Sequence, residues 1–300
     1  MLLARQRAES RSAMYVISGA SGNTGKIAAK KLLQAGKKVR ALVRNVEKAS
    51  ELAALGAEVV AVDLSDRAGF ERALAGADGL YLLSPPDLTS HNFLAERSQL
   101  LGAVAAAAKS AAVPHVVFLS SVGGQHPSGT GIIQSVHAGE AALRGAGVTS
   151  TFLRAAYFVE NWASVLPVAK QDGVLPSFLP GALALPMVST VDIGNLAAEA
   201  LLDGPRGERV LELSGPRDLT PKDVAALVSK LLGRAIQLVE APLEAVVPTF
   251  TSFGISPEIA ELFRQMYEGL RAGRVSFEGG KAEARRGPTS VEETLRLLSK

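Results

Sequence analysis

The chain has 300 residues, 47% of them hydrophobic and 20% charged, with 32 Lys and Arg against 29 Asp and Glu. That length suits one large domain or two modest ones, and the balance argues against disorder. The basic residues are scattered among acids and aromatics make up only 5%, so no concentrated nucleic-acid-binding face is expected.

The absence of cysteine removes disulfides, thiolate nucleophiles and cysteine-ligated metals together, and it fits a cytoplasmic location. No apolar run approaches the roughly 18 residues a membrane span needs. The first residues also lack the apolar segment of a secretion signal. Residues 1–13 read as a polar extension ahead of the fold, with Met14 as an alternative start beside the first strand.

From Met14 onward, short apolar runs alternate with longer helical ones. Met14–Ser18 reads as a buried strand, followed by a glycine turn and a helix to about Ala35, which Gly36 stops. Val39–Val43 is a second strand, Glu47–Leu55 a helix, Glu58–Val62 a third strand and Asp66–Ala75 a helix. Gly79–Leu83 is a fourth strand and Asn92–Ala112 a long helix. His115–Leu119, a helix over Val136–Gly145 and the strand Thr149–Leu153 complete the pattern. Apolar strands spaced this way, each joined by a helix, predict a Rossmann-type α/β fold, a doubly wound parallel sheet covered on both faces.

The rhythm changes after residue 155. Pro167, Pro176, Pro180 and Pro186 punctuate a loop-rich stretch. Helices are expected at Val191–Leu202, Thr220–Leu232, Pro257–Ala272 and Val291–Lys300, with short strands near Val210–Leu213 and Gln237–Val239. The expected division is therefore a Rossmann domain over residues 14–155 and a smaller, mostly helical substrate lobe over 156–300, with the chain free to cross between them. Gly279–Pro288 reads as a surface loop.

Gly19-Ala20-Ser21-Gly22-Asn23-Thr24-Gly25 sits between the first strand and its helix. Gly19 permits a tight turn, Gly22 offers no Cβ to a pyrophosphate, and Gly25 allows close helix–sheet approach. The helix start aims free N–H groups at phosphates. The next strand's end selects the nucleotide. No acid lies between Lys37 and Val46, so the ribose-binding carboxylate of an NAD site is missing, and Arg44 with Lys48 suits the 2′-phosphate of NADP(H).

Other candidates come from the carboxyl ends of later strands. Asp63 and Leu64 follow strand three, where Asp63 serves equally as an adenine flank or as a helix cap. Ser84-Pro85-Pro86 follows strand four, and Ser120-Ser121 strand five, nearer the nicotinamide.

These residues resemble the NmrA-like group of atypical short-chain dehydrogenase/reductases, in the quinone oxidoreductase and triphenylmethane reductase branch. The resemblance rests on Ser18–Gly25, Ala41–Asn45, Thr151–Arg154 with Tyr157–Trp162, and Val191–Gly194. It implies NADP(H), a C-terminal lobe closing a substrate cleft, and either reductase activity or redox sensing.

The family's usual Tyr-x-x-x-Lys pair, in which lysine makes tyrosine a better proton exchanger, is absent. Four residues past Tyr15, Tyr81, Tyr157 and Tyr267 stand Gly19, Pro85, Asn161 and Arg271, and the family's lysine position matches Val136. His137, His126 and Tyr157 are the remaining catalytic candidates, each against an ordinary surface or packing role; His91 and His115 read as structural. No histidines have metal-site spacing. The leading expectation is an NADPH-dependent reductase of a quinone-like or conjugated small molecule; the alternative is a non-catalytic NADP(H)-binding sensor acting through a protein partner. A homodimer is left open.

Overall fold

The computed structural model describes residues 12–85 and 87–299. Residues 1–11 of the extension expected over residues 1–13, together with Pro86 and Lys300, lie outside the described residues. Eight strands form one wholly parallel sheet: β1 Met14–Ile17, β2 Lys38–Val43, β3 Glu58–Ala61, β4 Gly79–Leu82, β5 Val116–Ser121, β6 Ser150–Ala155, β10 Arg209–Ser214 and β12 Glu283–Arg286. Their order is β12-β10-β6-β5-β4-β1-β2-β3. The direction of winding reverses between β1 and β4.

Alternating side chains divide two cores. Ile17, Val117 and Leu153 face helices α1 (Asn23–Gln34) and α7 (Thr190–Asp203), through Ala28, Leu32, Ala197 and Leu201. Val16, Phe118 and Phe152 face α3 (Arg67–Leu74), α4 (Phe93–Ser110) and α5 (Gln134–Gly145), through Phe70, Val104 and Leu143. Strands buried on both faces read as continuous apolar runs, which is why β4, β5 and β6 were plain in the sequence. Each fully buried Phe or Leu contributes about 1.5–3 kcal/mol relative to exposure.

Two departures concern the sheet's far edge. The strand expected near Val210–Leu213 belongs to this main sheet beside β6, and the expected loop Gly279–Pro288 contains β12. Glu283-Ala284-Arg285-Arg286 has no apolar alternation to announce a strand. It is an exposed edge held by backbone pairing to β10 and by the Arg209 guanidinium, which donates to both Glu283 carboxylate oxygens at 2.9 and 3.1 Å. Charged side chains on an edge also discourage further strand addition.

A third core gathers the remaining elements. The pair β8 (Val174–Ser177) and β11 (Gln237–Glu240) runs parallel, flanked by α6 (Leu166–Asp172), α8 (Pro221–Leu232) and α11 (Val291–Leu298). Capping boxes at Thr220 with Asp223 and at Ser290 with Glu293 fix the starts of α8 and α11. Helices α9 (Val246–Ser252) and α10 (Pro257–Arg271) form a hairpin, and the short strands β7 (Tyr157–Phe158) and β9 (Met187–Val188) pair beside the end of β6. The helix expected over Glu47–Leu55 is a 3-10 turn, Val46–Ala49, running into the short α2, Ser50–Ala54. Asn45 starts that turn by accepting from the Glu47 N–H, a cap that favours the tighter geometry.

Candidate cofactor and substrate site

The loop from Gly19 to Gly25 lies at the switch point between β1 and β4, where open α/β sheets bind ligands. Gly19 has φ +60°, a left-handed conformation that a side chain would strain, and a Cβ there would press on Leu83 at 3.0 Å. The Gly22 N–H donates to the Gly19 carbonyl at 2.9 Å, closing the turn. A Cβ on Gly25 would lie 2.4 Å from that same carbonyl oxygen. Gly25 is therefore required by the loop's own backbone, not only by the sheet beneath it. Ser21 is half-buried, while Gly22 and Asn23 are exposed and leave the crest of the loop open.

Two residues that sequence reasoning passed over brace the cradle. Ser18 Oγ accepts from the Leu83 N–H at 2.9 Å, tying the end of β1 to the end of β4. The buried Tyr81 hydroxyl donates to Thr24 Oγ1 at 3.0 Å, and burial pushes its pKa well above the ordinary tyrosine range. Thr24 thus packs inward and is fixed from below. A polar pair between an apolar strand and the helix packed on it carries no periodic signal, which explains why it was not legible.

Helix α7 closes the other side of α1. A Cβ on Gly194 would meet Ile27 Cβ and the Thr24 carbonyl, each at 2.6 Å, so the helices touch backbone to side chain there. Buried Asp192 accepts from the Thr289 N–H at 3.0 Å and from its hydroxyl at 2.7 Å, tying α7 to the segment after β12. Glu160 Oε1 accepts from the Thr190 N–H at 2.9 Å and its hydroxyl at 2.6 Å, while Glu160 Oε2 is buried without a hydrogen-bond partner. A cavity of about 280 Å³ separates this carboxylate from Ser21, Gly22 and Asn23.

Arg44 and Lys48 are both exposed immediately past β2. The Asp63 carboxyl lies below its ordinary pKa, first because the Ser65 hydroxyl and N–H donate to it, at 2.6 and 2.9 Å, and then through the positive charges of Arg44 and Arg97. The capping role open to Asp63 falls instead to Asp66, whose side chain accepts from the Gly69 N–H at 2.9 Å. Leu64 is half-buried against the α3–α4 core.

Arg97, from the first turns of α4, is a second guanidinium at this end of the crevice. It donates to the Pro85 carbonyl at 3.3 Å and keeps a buried Nε–H without a partner. Beside it, the buried Ser84 hydroxyl is also unpartnered. Buried polar groups are normally satisfied, so two orphans at the end of β4, together with a loop crest that excludes Cβ atoms, fit a polar ligand lying along this edge.

Ser120 and Ser121 diverge, as alternate residues on a strand must. Ser121 is half-buried and bonds its neighbour's carbonyl, Val122, at 3.1 Å. Ser120 points to the opposite face and donates to Glu140 at 2.6 Å. Glu140 is fully buried, and Arg154 clamps it bidentately at 2.9 and 2.8 Å, reaching Glu278 with its remaining nitrogen at 2.5 Å. The Ser120 hydroxyl is thus committed to a buried ion pair beneath the sheet, not to the crevice.

His137 is half-buried, with Nδ1 2.9 Å from the Gly124 carbonyl, and His126 sits in that same loop with Nε2 3.2 Å from Gln125 Nε2. His137 anchors the loop after β5 to α5, while the contacts of His126 stay within that loop. The Tyr157 hydroxyl meets Tyr267 and Asn161, and burial is the main cause raising its pKa. His91 is exposed. His115 is buried, bonded to Thr151 at 2.9 Å, with its pKa lowered to about 4 by desolvation and by Arg209. Among the described residues no cluster could hold a metal ion, and no helix is long and apolar enough to cross a membrane.

A doubly wound parallel sheet with a Cβ-excluding glycine loop at its switch point defines the Rossmann-type class of dinucleotide folds. Within it, the chain belongs to the NmrA-like family, whose sequence profile matches residues 12–295. It is 32% identical over 261 residues to a (4-alkanoyl-5-oxo-2,5-dihydrofuran-3-yl)methyl phosphate reductase of Streptomyces griseus, covering 87% of this chain and 88% of that one. It is 26% identical to an NAD(P)H azoreductase of Xenophilus azovorans, over 85% and 86% of the two chains. The structure of an NADPH-dependent quinone oxidoreductase of Escherichia coli, complexed with NADPH, superposes with a TM-score of 0.80 at 23% identity, over 96% of this chain and 100% of that one.

Proposed function

We propose that this chain is an NADPH-dependent reductase that passes hydride to a quinone-like or otherwise conjugated small-molecule acceptor. The observation that carries the reading is the Gly19–Gly25 cradle, in which a Cβ at Gly25 would strike the loop's own backbone, set beside exposed Arg44 with no acid at the end of β2. The reductase names of its relatives support it.

In this reading the Asn23 N–H and the start of α1 receive the pyrophosphate, and Gly22 has no Cβ to keep it away. Arg44 and Lys48 meet the 2′-phosphate, Arg44 by its planar fork. Asp63 and Leu64 flank the adenine, and Ser84, Pro85 and Ser121 line the path toward the nicotinamide. NADPH supplies the hydride. The protein's part is to align donor and acceptor and to exclude water, a positioning effect that needs no strong acid when the reduced oxygen can take its proton from solvent. This agrees with the missing Tyr-x-x-x-Lys pair.

The test is NADPH oxidation, followed by its absorbance, with purified protein and a panel of quinones, azo dyes and cationic triphenylmethane dyes. Turnover that disappears in Gly25→Ala is expected. Tight, redox-selective cofactor binding without turnover on any acceptor would point instead to a sensor.

A further inference from the structure

Tyr157 follows the end of β6 by two residues, and α10 crosses above the loop that leaves β5. That crossing is close: a Cβ on Gly131 would fall 1.9 Å from the Leu262 carbonyl and 2.5 Å from the Met266 N–H. The next residue, Tyr267, packs against the same core as Tyr157 and lies beside it, close to the carboxyl end of β6, the edge where such sheets bind ligands. Its hydroxyl and the Asn161 side chain both lie near the Tyr157 hydroxyl.

From Tyr267 an aromatic wall extends outward. Its ring lies 5.4 Å from Phe178 and 6.4 Å from Phe250, and Phe250 lies 4.9 Å from Phe263. The rings meet one another edge to face or tilted, and each keeps part of its surface exposed. On the inner side, Trp162 is 4% exposed, its ring 6.4 Å from that of Tyr157, and its indole N–H has no hydrogen-bond partner. Partly exposed aromatic rings beside two neighbouring hydroxyls match a planar conjugated molecule carrying an acceptor oxygen.

We propose that this wall is the acceptor subsite and that the Tyr267 hydroxyl seats a carbonyl oxygen of the acceptor, with Tyr157 and Asn161 aiming it. Tyr157 stands beside the buried Trp162, whereas Tyr267 stands among the partly exposed rings, which makes Tyr267 the group that touches substrate; Tyr157 is a positioning residue. The inference rests on the reductase reading for what the bound molecule undergoes, but not for its binding. It also separates acceptor classes, since a cationic dye without oxygen gains nothing from the hydroxyl.

Trp162 is the chain's single tryptophan, so its fluorescence reports this pocket alone. The full protein, saturated with NADP+, is titrated with 1,4-naphthoquinone and separately with naphthalene, for the parent and for Tyr267→Phe and Tyr157→Phe. The expected result is quinone binding about tenfold weaker in Tyr267→Phe and weakened less in Tyr157→Phe, with naphthalene binding unchanged in both. Unchanged naphthalene binding shows an intact wall. Equal loss for both ligands, no loss for quinone, or no quenching of Trp162 by quinone in the parent would overturn the assignment. Quinone that binds as expected yet oxidises no NADPH would leave this subsite standing and defeat the reductase reading.

Discussion

The carbonyl oxygen of Gly19 lies 2.4 Å from the place a Cβ on Gly25 would occupy, so two residues of one loop dictate each other. An added methyl there has only backbone to displace. Gly25→Ala should weaken NADPH binding tenfold or more, read by the fluorescence of bound NADPH. Gly102, within α4, has open space around its Cα, so Gly102→Ala is the control. It should keep cofactor affinity and gain about 0.5–1 kcal/mol of stability through helix propensity. Equal cofactor binding by the two variants would show that the glycine loop does not cradle the cofactor.

Charge at the end of β2 sets the second expectation. Arg44→Glu should raise the dissociation constant for NADPH tenfold to a hundredfold, about 1.4–2.8 kcal/mol, because a carboxylate then faces the 2′-phosphate. Binding of NADH should hold or improve, since the new acid can bond the ribose 2′-hydroxyl. Unchanged NADPH affinity with no gain for NADH is the outcome that defeats the assignment; calorimetric titration with both cofactors measures it.

Glu140 and Arg154 form a buried, bidentate pair at 2.9 and 2.8 Å, with Ser120 as an additional donor. Removing Glu140 leaves buried Arg154 with only the exposed Glu278, and removing Arg154 leaves buried Glu140 with only the Arg144 guanidinium at 3.2 Å as a charge partner. Glu140→Ala or Arg154→Ala should each cost about 3–5 kcal/mol in urea unfolding, whereas Glu140→Leu with Arg154→Met together should recover most of the loss. Single variants within about 1 kcal/mol of the parent would show that the pair carries little.

Acid should destabilise the protein through His115. Its folded pKa, about 4, lies below its ordinary value of 6.5 because burial and Arg209 disfavour the charged ring. Between those pH values the unfolded chain holds more protons, so stability is fully present above pH 6.5 and falls as pH drops toward 4. From pH 7 to pH 5 the loss assigned to this group is about 2 kcal/mol. Urea midpoints at the two pH values measure it, and His115→Phe should flatten the difference. An unaltered slope in that variant would place the acid sensitivity elsewhere.

Strand and helix periodicity, the glycine loop and the charge at Arg44 were readable from residues in order along the chain, because each is a local pattern: alternate burial, a backbone conformation only glycine allows, a missing acid. From these the sequence by itself determined a doubly wound parallel sheet with a dinucleotide loop at its first crossover. Tertiary structure alone decided the rest. It carried β10 and β12 back into the main sheet, where backbone pairing stabilises an edge strand that side chains do not announce. It turned Ser120 to the far face and Ser121 to the near one. Residues distant in the chain meet there: Glu140 with Arg154, Tyr81 with Thr24, and Tyr157 with Tyr267 across 110 positions. Such contacts depend on how elements pack rather than on spacing, so no window along the sequence contains them.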